Sequence, residues 1–568
     1  MHSNTTRRTF VKGLAAGGLL GGLGLWRSPV WALTSPGQPT VLAGTEFDLF
    51  IDQSPVNLTG RKRTALTING SLPGPLLRWR EGDTVTLRVK NRLAEPTSIH
   101  WHGILLPSNM DGVPGLSFKG IEPGGVFVYQ FTVKQHGTYW YHSHSGFQEQ
   151  QGVYGPLVID PREPEPYTYQ RDYVVMLSDW TDEDPVALMK TLKKQSDYYN
   201  LHKPTVGDFV RDVGKQGGSA TVADRLMWAQ MKMNPTDLAD VSGETYTYLL
   251  NAQPPERNWT GVFKAGETIR LRFINGSAMS YFDVRIPGLK MTVIAADGQP
   301  VQPVSVDEFR IAVAETFDVL VEPTAEAYTL FAQSMDRSGY ARGTLARHTG
   351  AMATVPALDP RPWITMEDMG MGGMDHGAMA DMPEMAGMDH SAMPMQAHPA
   401  SEQDNPLVDM QAMSPVPKLD DPGIGLRNNG RRVLTYADLR STFEDPDGRD
   451  PSRTIELHLT GHMEKFAWSF NGVKFSDAEP LQLTYGERVR LVLVNDTMMS
   501  HPIHLHGLWS DLEDENGQFQ VRKHTIDMPP GSRRSYRVTA DALGRWAYHC
   551  HLLYHMEMGM FREVRVHE

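Results

Sequence analysis

Four histidine pairs and one cysteine carry the chemistry that can be read directly from this chain. His100-Trp101-His102, His142-Ser143-His144, His504-Leu505-His506 and His549-Cys550-His551 each place two imidazoles two residues apart, and the last encloses the only cysteine of the sequence. On a strand, residues i and i+2 project from one face, so each pair offers two ring nitrogens side by side. One such pair arises easily by accident in a core or on a surface. Four of them, one wrapped around the single thiol, point to bound metal. Eight imidazoles would serve three ions, one held by two rings and two held by three each, with open positions for a small oxidant. His501, His555 and Met560 flank Cys550. Two imidazoles, a thiolate and a weak axial thioether are the donor set of a blue-copper electron-transfer centre. Isolated structural zinc needs four ligands, not two linked sets of this size.

Strands must position these rings, and the chain repeats the instructions for them three times. Residues 81–91, 265–275 and 485–495 share one template, in which a glycine and an acidic residue open an alternating strand and an asparagine follows nine positions after the glycine. Period-2 alternation of Val, Leu and Ile with charged residues predicts half-buried strands. Eighteen positions after Gly82 and Gly486 stand His100 and His504, with His102 and His506 two further on. The segment 137–144 likewise aligns with 544–551. At the matching positions of the middle repeat stand Val284 and Ile286, so that unit is expected to carry no ligands. The fold class expected is all-β, with three β-sandwich units at 33–165, 166–350 and 425–568.

Two stretches break the pattern. Pro185 to Val241 lacks alternation and is expected to be a partly helical excursion in the second unit, its methionines filling gaps in the packing. The segment 351–424 contains a tract rich in Met, Gly, Ala, Pro and Asp, with Met374, His376 and Met379 echoed by Met388, His390 and Met393. Without apolar periodicity it is expected to be a mobile linker before the third unit.

Composition sets the outer bounds. With 568 residues, 40% of them hydrophobic, the chain is too long for one core and well supplied for several. A net charge of −13 without any Lys/Arg stripe excludes nucleic acid as a partner. The only long uncharged apolar run, 13–26, is shorter than the ~20 residues of a membrane span. It follows Arg7-Arg8 and precedes Val30-Trp31-Ala32, a pattern similar to a twin-arginine export signal covering 1–32, which places the mature chain in the periplasm.

His100-Trp101-His102-Gly103, His142-Ser143-His144, His501-Pro502-Ile503-His504-Leu505-His506 and His549-Cys550-His551 through Met560 resemble the four copper motifs of the multicopper oxidases. The Met-Asp-His repeats, Met233-Asn234-Pro235-Thr236-Asp237 and the export signal resemble the copper-resistance type within that family. The resemblance implies three cupredoxin-like domains and four copper ions. His100 and His504 would hold type 2. His102, His142 and His551 would hold one type 3 ion, and His144, His506 and His549 the other. His501, Cys550 and His555 would hold type 1, with Met560 axial. Asp111 matches an acid that supplies protons near the cluster. The implied reaction reduces O2 to water with four electrons taken one at a time through type 1. Soft thioethers select Cu(I), so Cu(I) is the expected donor. Capture would fall to Met374, His376, Met379, Met388, His390 and Met393, and docking near type 1 to Met498, Met499, Met556, Glu557 and Met558. Periplasmic copper chaperones are expected partners. Small aromatic reductants, as in a laccase-like phenol oxidase, and copper sequestration without turnover are the alternatives.

Overall fold

The computed structural model describes residues 39–371 and 396–568. The export signal and the Met-His motifs at 374–393 therefore lie outside the described residues. The rest forms six sheets, two in each of three β-sandwich units. Among the described residues no helix is long and apolar enough to cross a membrane.

The repeated template is a central strand in every unit. Thr84–Asn91 runs parallel to Glu46–Val56 and antiparallel to Val126–Thr132. Ile269–Asn275 sits in the same way between Arg171–Thr181 and Thr316–Val321. Arg488–Asn495 does so between Arg453–His462 and Arg533–Thr539. The template glycines have φ of +89° at Gly82, +80° at Gly266 and +83° at Gly486, a left-handed turn that side chains resist.

The template asparagines explain why the spacing is constant. Asn91, Asn275 and Asn495 are fully buried at the ends of their strands. Asn495 Nδ2 donates to the carbonyls of Met499 and Met528, both at 2.8 Å, while its Oδ1 accepts from Thr497 N at 3.0 Å. Asn275 binds Ser280 O, Ile311 O and Ser277 N, and Asn91 binds Glu95 O, Ile121 O and Leu93 N. Each side chain thus clamps the loop by which the chain leaves one sheet and enters the other. The strand that follows is His100–His102 in the first unit, Phe282–Arg285 in the second and His501–Leu505 in the third. Val284 and Ile286 are buried in the middle unit.

The excursion is helical, at Pro185–Lys194, Val206–Gln216 and Gly218–Met231. Asp184 caps the first helix ahead of Pro185, and Thr205 with Asp208 forms a capping box on the second. Met189 is buried, in keeping with a packing role, whereas Met233 is buried against the wall of a cleft. The Met-rich linker needs correction. Its described flanks, 351–371 and 396–424, are packed: Ile364, Met366, Met369, Met410 and Leu419 are buried. Ser414 N donates to Gly370 O at 2.9 Å and Gln396 N to Met413 O at 3.1 Å, so both flanks are tied side by side. Unbranched Met fills irregular gaps without the periodicity by which a core is recognised in sequence.

The clamp predicts a stability effect separable from metal binding. Asn275→Ala, in the unit without histidine pairs, orphans two carbonyls and an amide and should cost roughly 3 kcal/mol. A shift in the denaturation midpoint with unchanged copper content of the folded protein is the expected result.

Candidate metal centre

Strand pairing brings the four histidine pairs together. In the first unit His100 pairs across the sheet with His142. In the third, His504 pairs with His549 and Ile503 with Cys550. The two units face each other there: the rings of His100 and His506 stack with centroids 3.9 Å apart, and those of His102 and His504 at 3.8 Å. His144 is half-buried and the other seven rings are buried. Three-ring groupings occur at His100, His504 and His506, at His100, His102 and His142, and at His144, His506 and His549.

Hydrogen bonds decide which nitrogen each ring offers. His100 Nδ1 lies 2.8 Å from Asp111 O, His504 Nδ1 2.6 Å from His524 O and His549 Nδ1 2.9 Å from Cys550 O. His142 Nδ1 faces Ser143 O at 3.1 Å and Glu149 Oε2 at 2.7 Å, and His506 Nδ1 faces Asp111 Oδ2 at 2.8 Å. All these partners accept, so Nδ1 carries the proton and Nε2 keeps a free lone pair. Yet His506 Nε2 and His549 Nε2 are only 3.0 Å apart. His142 Nε2 and His551 Nε2 are 3.3 Å apart. The Nε2 atoms of His100, His144 and His504 and the Nδ1 of His102 are buried with no hydrogen-bond partner.

Protonation cannot relieve this crowding. Burial holds His549 down at about 3, and burial with neighbouring imidazoles holds His102, His142, His144, His504, His506 and His551 well below the ordinary imidazole range. Neutral rings with converging lone pairs in a buried cluster fit metal cations, and imidazole suits copper.

The second group lies one residue away along the chain. His501 Nδ1 is 3.5 Å and His555 Nδ1 3.9 Å from Cys550 Sγ, and the two nitrogens are 3.1 Å apart. Met560 is buried beside them, its carbonyl accepting from Cys550 N at 3.1 Å. The outer nitrogens are held: His501 Nε2 by Thr497 Oγ1 at 2.7 Å and His555 Nε2 by Asp240 Oδ2 at 2.8 Å. Trp468 stacks on His555 at 3.9 Å. Burial pushes the Cys550 thiol up, so a thiolate there requires a cation alongside.

Three models of multicopper oxidase domains match this sequence, at residues 51–164, 171–352 and 448–568. The chain belongs to the multicopper oxidases. It is 73% identical, over the full length of both chains, to copper resistance protein A of Pseudomonas syringae pv. tomato, and 70% identical over 99% of each to copper resistance protein A of Escherichia coli. Among solved structures it resembles Fet3p, a multicopper oxidase that functions in iron import, with a TM-score of 0.65 at 19% identity over 92% of this chain and 90% of that one. That likeness is one of fold. As a multicopper oxidase the chain is an oxidoreductase that uses copper cofactors and O2 as acceptor.

The sequence-predicted docking residues are not brought together as expected. Met498 and Met499 are sealed in the core, because the Asn495 clamp draws the 497–499 turn inward, so they form no exposed surface. Met556 and Met558 are half-buried and Glu557 exposed. A different cleft, of about 520 Å³, is lined by Trp228, Met233, Asp237, Met463 and Glu464. Three supporting residues escaped the sequence reading: Glu149, Asp240 and His524. His524 Nδ1 lies 3.2 Å from His102 Nε2, and its side chain is held at about 4 by burial.

His524 also explains the glycine after His102. Gly103 has φ +78°, and a Cβ there would fall 2.5 Å from His524 Cδ2. Gly103→Ala should displace His524 from His102 and lower O2 consumption roughly 10-fold or more, the size of effect seen when a supporting contact to a ligand is lost. Copper content and O2 uptake check this. Unchanged values would show that His524 positions nothing.

Proposed function

We propose that the chain oxidises Cu(I) to Cu(II) with O2, in the service of copper resistance, using four resident copper ions. The full reaction balances as four Cu(I), one O2 and four protons giving four Cu(II) and two waters. The observation that carries the assignment of ligands is the 3.0 Å approach of His506 Nε2 to His549 Nε2, in rings whose Nδ1 atoms each face an acceptor. His144, His506 and His549 hold one type 3 ion, and His102, His142 and His551 the other. His100 and His504 would hold type 2, and His501, Cys550 and His555, with Met560 beside them, would hold type 1. These ions supply one-electron redox chemistry at type 1 and a binding place for O2 at the cluster.

The chain's own residues do the rest. Cys550 joins the two centres covalently, since its neighbours His549 and His551 face the cluster while its sulfur faces His501 and His555. Asp240 and Thr497 fix both type 1 imidazoles by their outer nitrogens. Asp111 accepts from His506 Nδ1 with one carboxylate oxygen, while the other lies 3.2 Å from His100 Nδ1. Its contacts with rings of both groups support a role for Asp111 in supplying protons to the cluster. The donor set for Cu(I) follows from the cleft, where Met233 and Met463 supply thioethers and Asp237 a carboxylate. The cleft communicates with type 1: Phe466 N donates to Met463 O at 3.0 Å and the Phe466 ring lies 5.9 Å from that of His555. Relatedness at 70–75% to copper resistance proteins A, against 25–27% to laccases, favours Cu(I) over phenols as the reductant. In this reading the Arg7-Arg8 leader exports the protein to the periplasm, where copper chaperones can deliver the ion.

Two variants test the assignment. Cys550→Ser should abolish the blue band and turnover while the imidazole cluster keeps its copper, because only the thiolate gives that colour. A variant that stays blue refutes the type 1 assignment. Deleting 372–395, whose flanking strands of chain are tied side by side, should slow oxidation of dilute or chelated Cu(I) and leave phenol oxidation as fast or faster. Steady-state rates with both reductants measure this, and unchanged Cu(I) rates at low free copper refute a collecting role for the tract.

A further inference from the structure

Away from both copper groups, four ligand-type side chains meet on the third sandwich. His458 lies on the strand Arg453–His462, and Asp496 follows the neighbouring strand Arg488–Asn495. The segment after the Met-rich tract lays His398 and Glu402 over them. The side chains of Glu402 and Asp496 are fully buried, His458 is 1% exposed and His398 13%. Asp496 Oδ2 is 2.6 Å from His458 Nδ1 and 3.3 Å from His398 Nδ1. Glu402 Oε2 is 3.3 Å from His398 Nδ1. Glu402 Oε1 is 3.8 Å from His458 Nδ1 and has no hydrogen-bond partner.

The outer contacts show what these atoms face one another for. His398 Nε2 lies 3.2 Å from Ala412 O, and His458 Nε2 3.3 Å from Glu456 Oε1. Both partners only accept, as do the carboxylate oxygens that face each Nδ1, so each ring either carries protons on both nitrogens or turns an Nδ1 lone pair toward those oxygens. Lone pairs and anions so close require protons or a cation between them. The carboxylates are supported as well: Asp496 Oδ1 accepts from Ala412 N at 2.7 Å and Glu402 Oε2 from Gln411 Nε2 at 3.2 Å. Every candidate ligand therefore has its own orienting partner, the arrangement found around metal ligands. The contacts of 2.6–3.8 Å bracket the ~3.4 Å edge of a tetrahedron with bonds of about 2.1 Å. Two carboxylates neutralise a dication.

We propose that His398, Glu402, His458 and Asp496 form a separate site for a divalent transition ion, with Cu(II) preferred. The N2O2 donor set contains no sulfur, which disfavours Cu(I), and Cu(II) stands above Zn(II) in affinity for such ligands. The site rests on its own geometry and does not depend on which reductant the oxidase consumes. Its position suits the product of Cu(I) oxidation. His398 follows directly on the Met-His tract, and Thr497, next to Asp496, bonds His501 of the type 1 group.

The test uses the copper-loaded, full-length protein, freed of loose metal by a chelator and titrated with Zn(II) and, separately, Cu(II) by equilibrium dialysis. The blue band and Cu(I) turnover report that each variant is folded. Wild type should bind one ion more per chain than His398→Gln or Glu402→Gln. The variants' affinity at this site should be lower by roughly 100-fold or more, beyond what loss of a merely supporting contact gives. Added Cu(II) should give a new paramagnetic signal, distinct from those of the resident copper, in wild type alone, and uptake should release protons. Glu402→Gln, nearly isosteric, keeps the test open if a histidine variant misfolds. Equal binding by wild type and Glu402→Gln would overturn the proposal and leave a hydrogen-bonded imidazolium cluster. Loss of the extra ion in a His376→Gln, His390→Gln double variant, with none in His398→Gln, would overturn it too, by placing the ion in the tract.

Discussion

Unprotonated ring nitrogens crowded together in a buried cluster are the constraint on which the rest of this molecule depends. The His506 and His549 Nε2 atoms stand 3.0 Å apart, and burial disfavours a second proton on either ring. Such an arrangement is unfavourable until a cation enters. The scaffold must therefore be stable enough without metal to hold eight rings in a geometry that repels itself. It does so by giving outer nitrogens fixed acceptors, either backbone carbonyls or the carboxylates of Asp111 and Glu149.

The scaffold's answer is a threefold use of one strand and one buried asparagine. By tying two carbonyls and an amide, Asn91, Asn275 and Asn495 each fix how far beyond the strand the chain re-enters the opposite sheet. The same clamp delivers His100 and His102 in the first unit, Val284 in the second and His504 in the third. The middle unit is nonetheless more than a spacer. Its Asp297 accepts from His524 N and Thr525 N, both at 3.2 Å, and pairs with buried Lys523 at 2.9 Å. The strand behind His504 is thus anchored from the unit that has no ligand pairs.

These facts also separate what was legible in sequence from what was not. Histidine pairs are legible because a strand's two-residue period is a covalent property, and their equivalence is legible because the asparagine clamp makes the offset from the template constant. Asp240, Glu149 and His524 have no counterpart at a repeat offset. Asp240 reaches His555 only because three helices carry it back across the third unit. Nothing local to Asp240 distinguishes it from the other acids of the excursion. The flanks of the Met-rich tract misled for a related reason. Their buried Met366, Met369 and Met410 pack by shape and not by periodicity.

Donor chemistry is sorted by place along the chain. Thioethers line the cleft and dominate the tract, where a soft monovalent ion would be taken up. Cys550 with two imidazoles stands at the proposed point of electron entry, and groups of three imidazoles lie between the first and third units. Oxygen donors gather with His398 and His458, where neither thiolate nor thioether stands among the four candidate ligands. Softness thus falls from the sites suited to Cu(I) toward those suited to Cu(II). An ion that loses one electron at type 1 is then poorly matched to the thioethers that brought it and better matched to nitrogen and oxygen. With the proposed sites, oxidation itself would supply the direction of transfer, without a moving part to release the product.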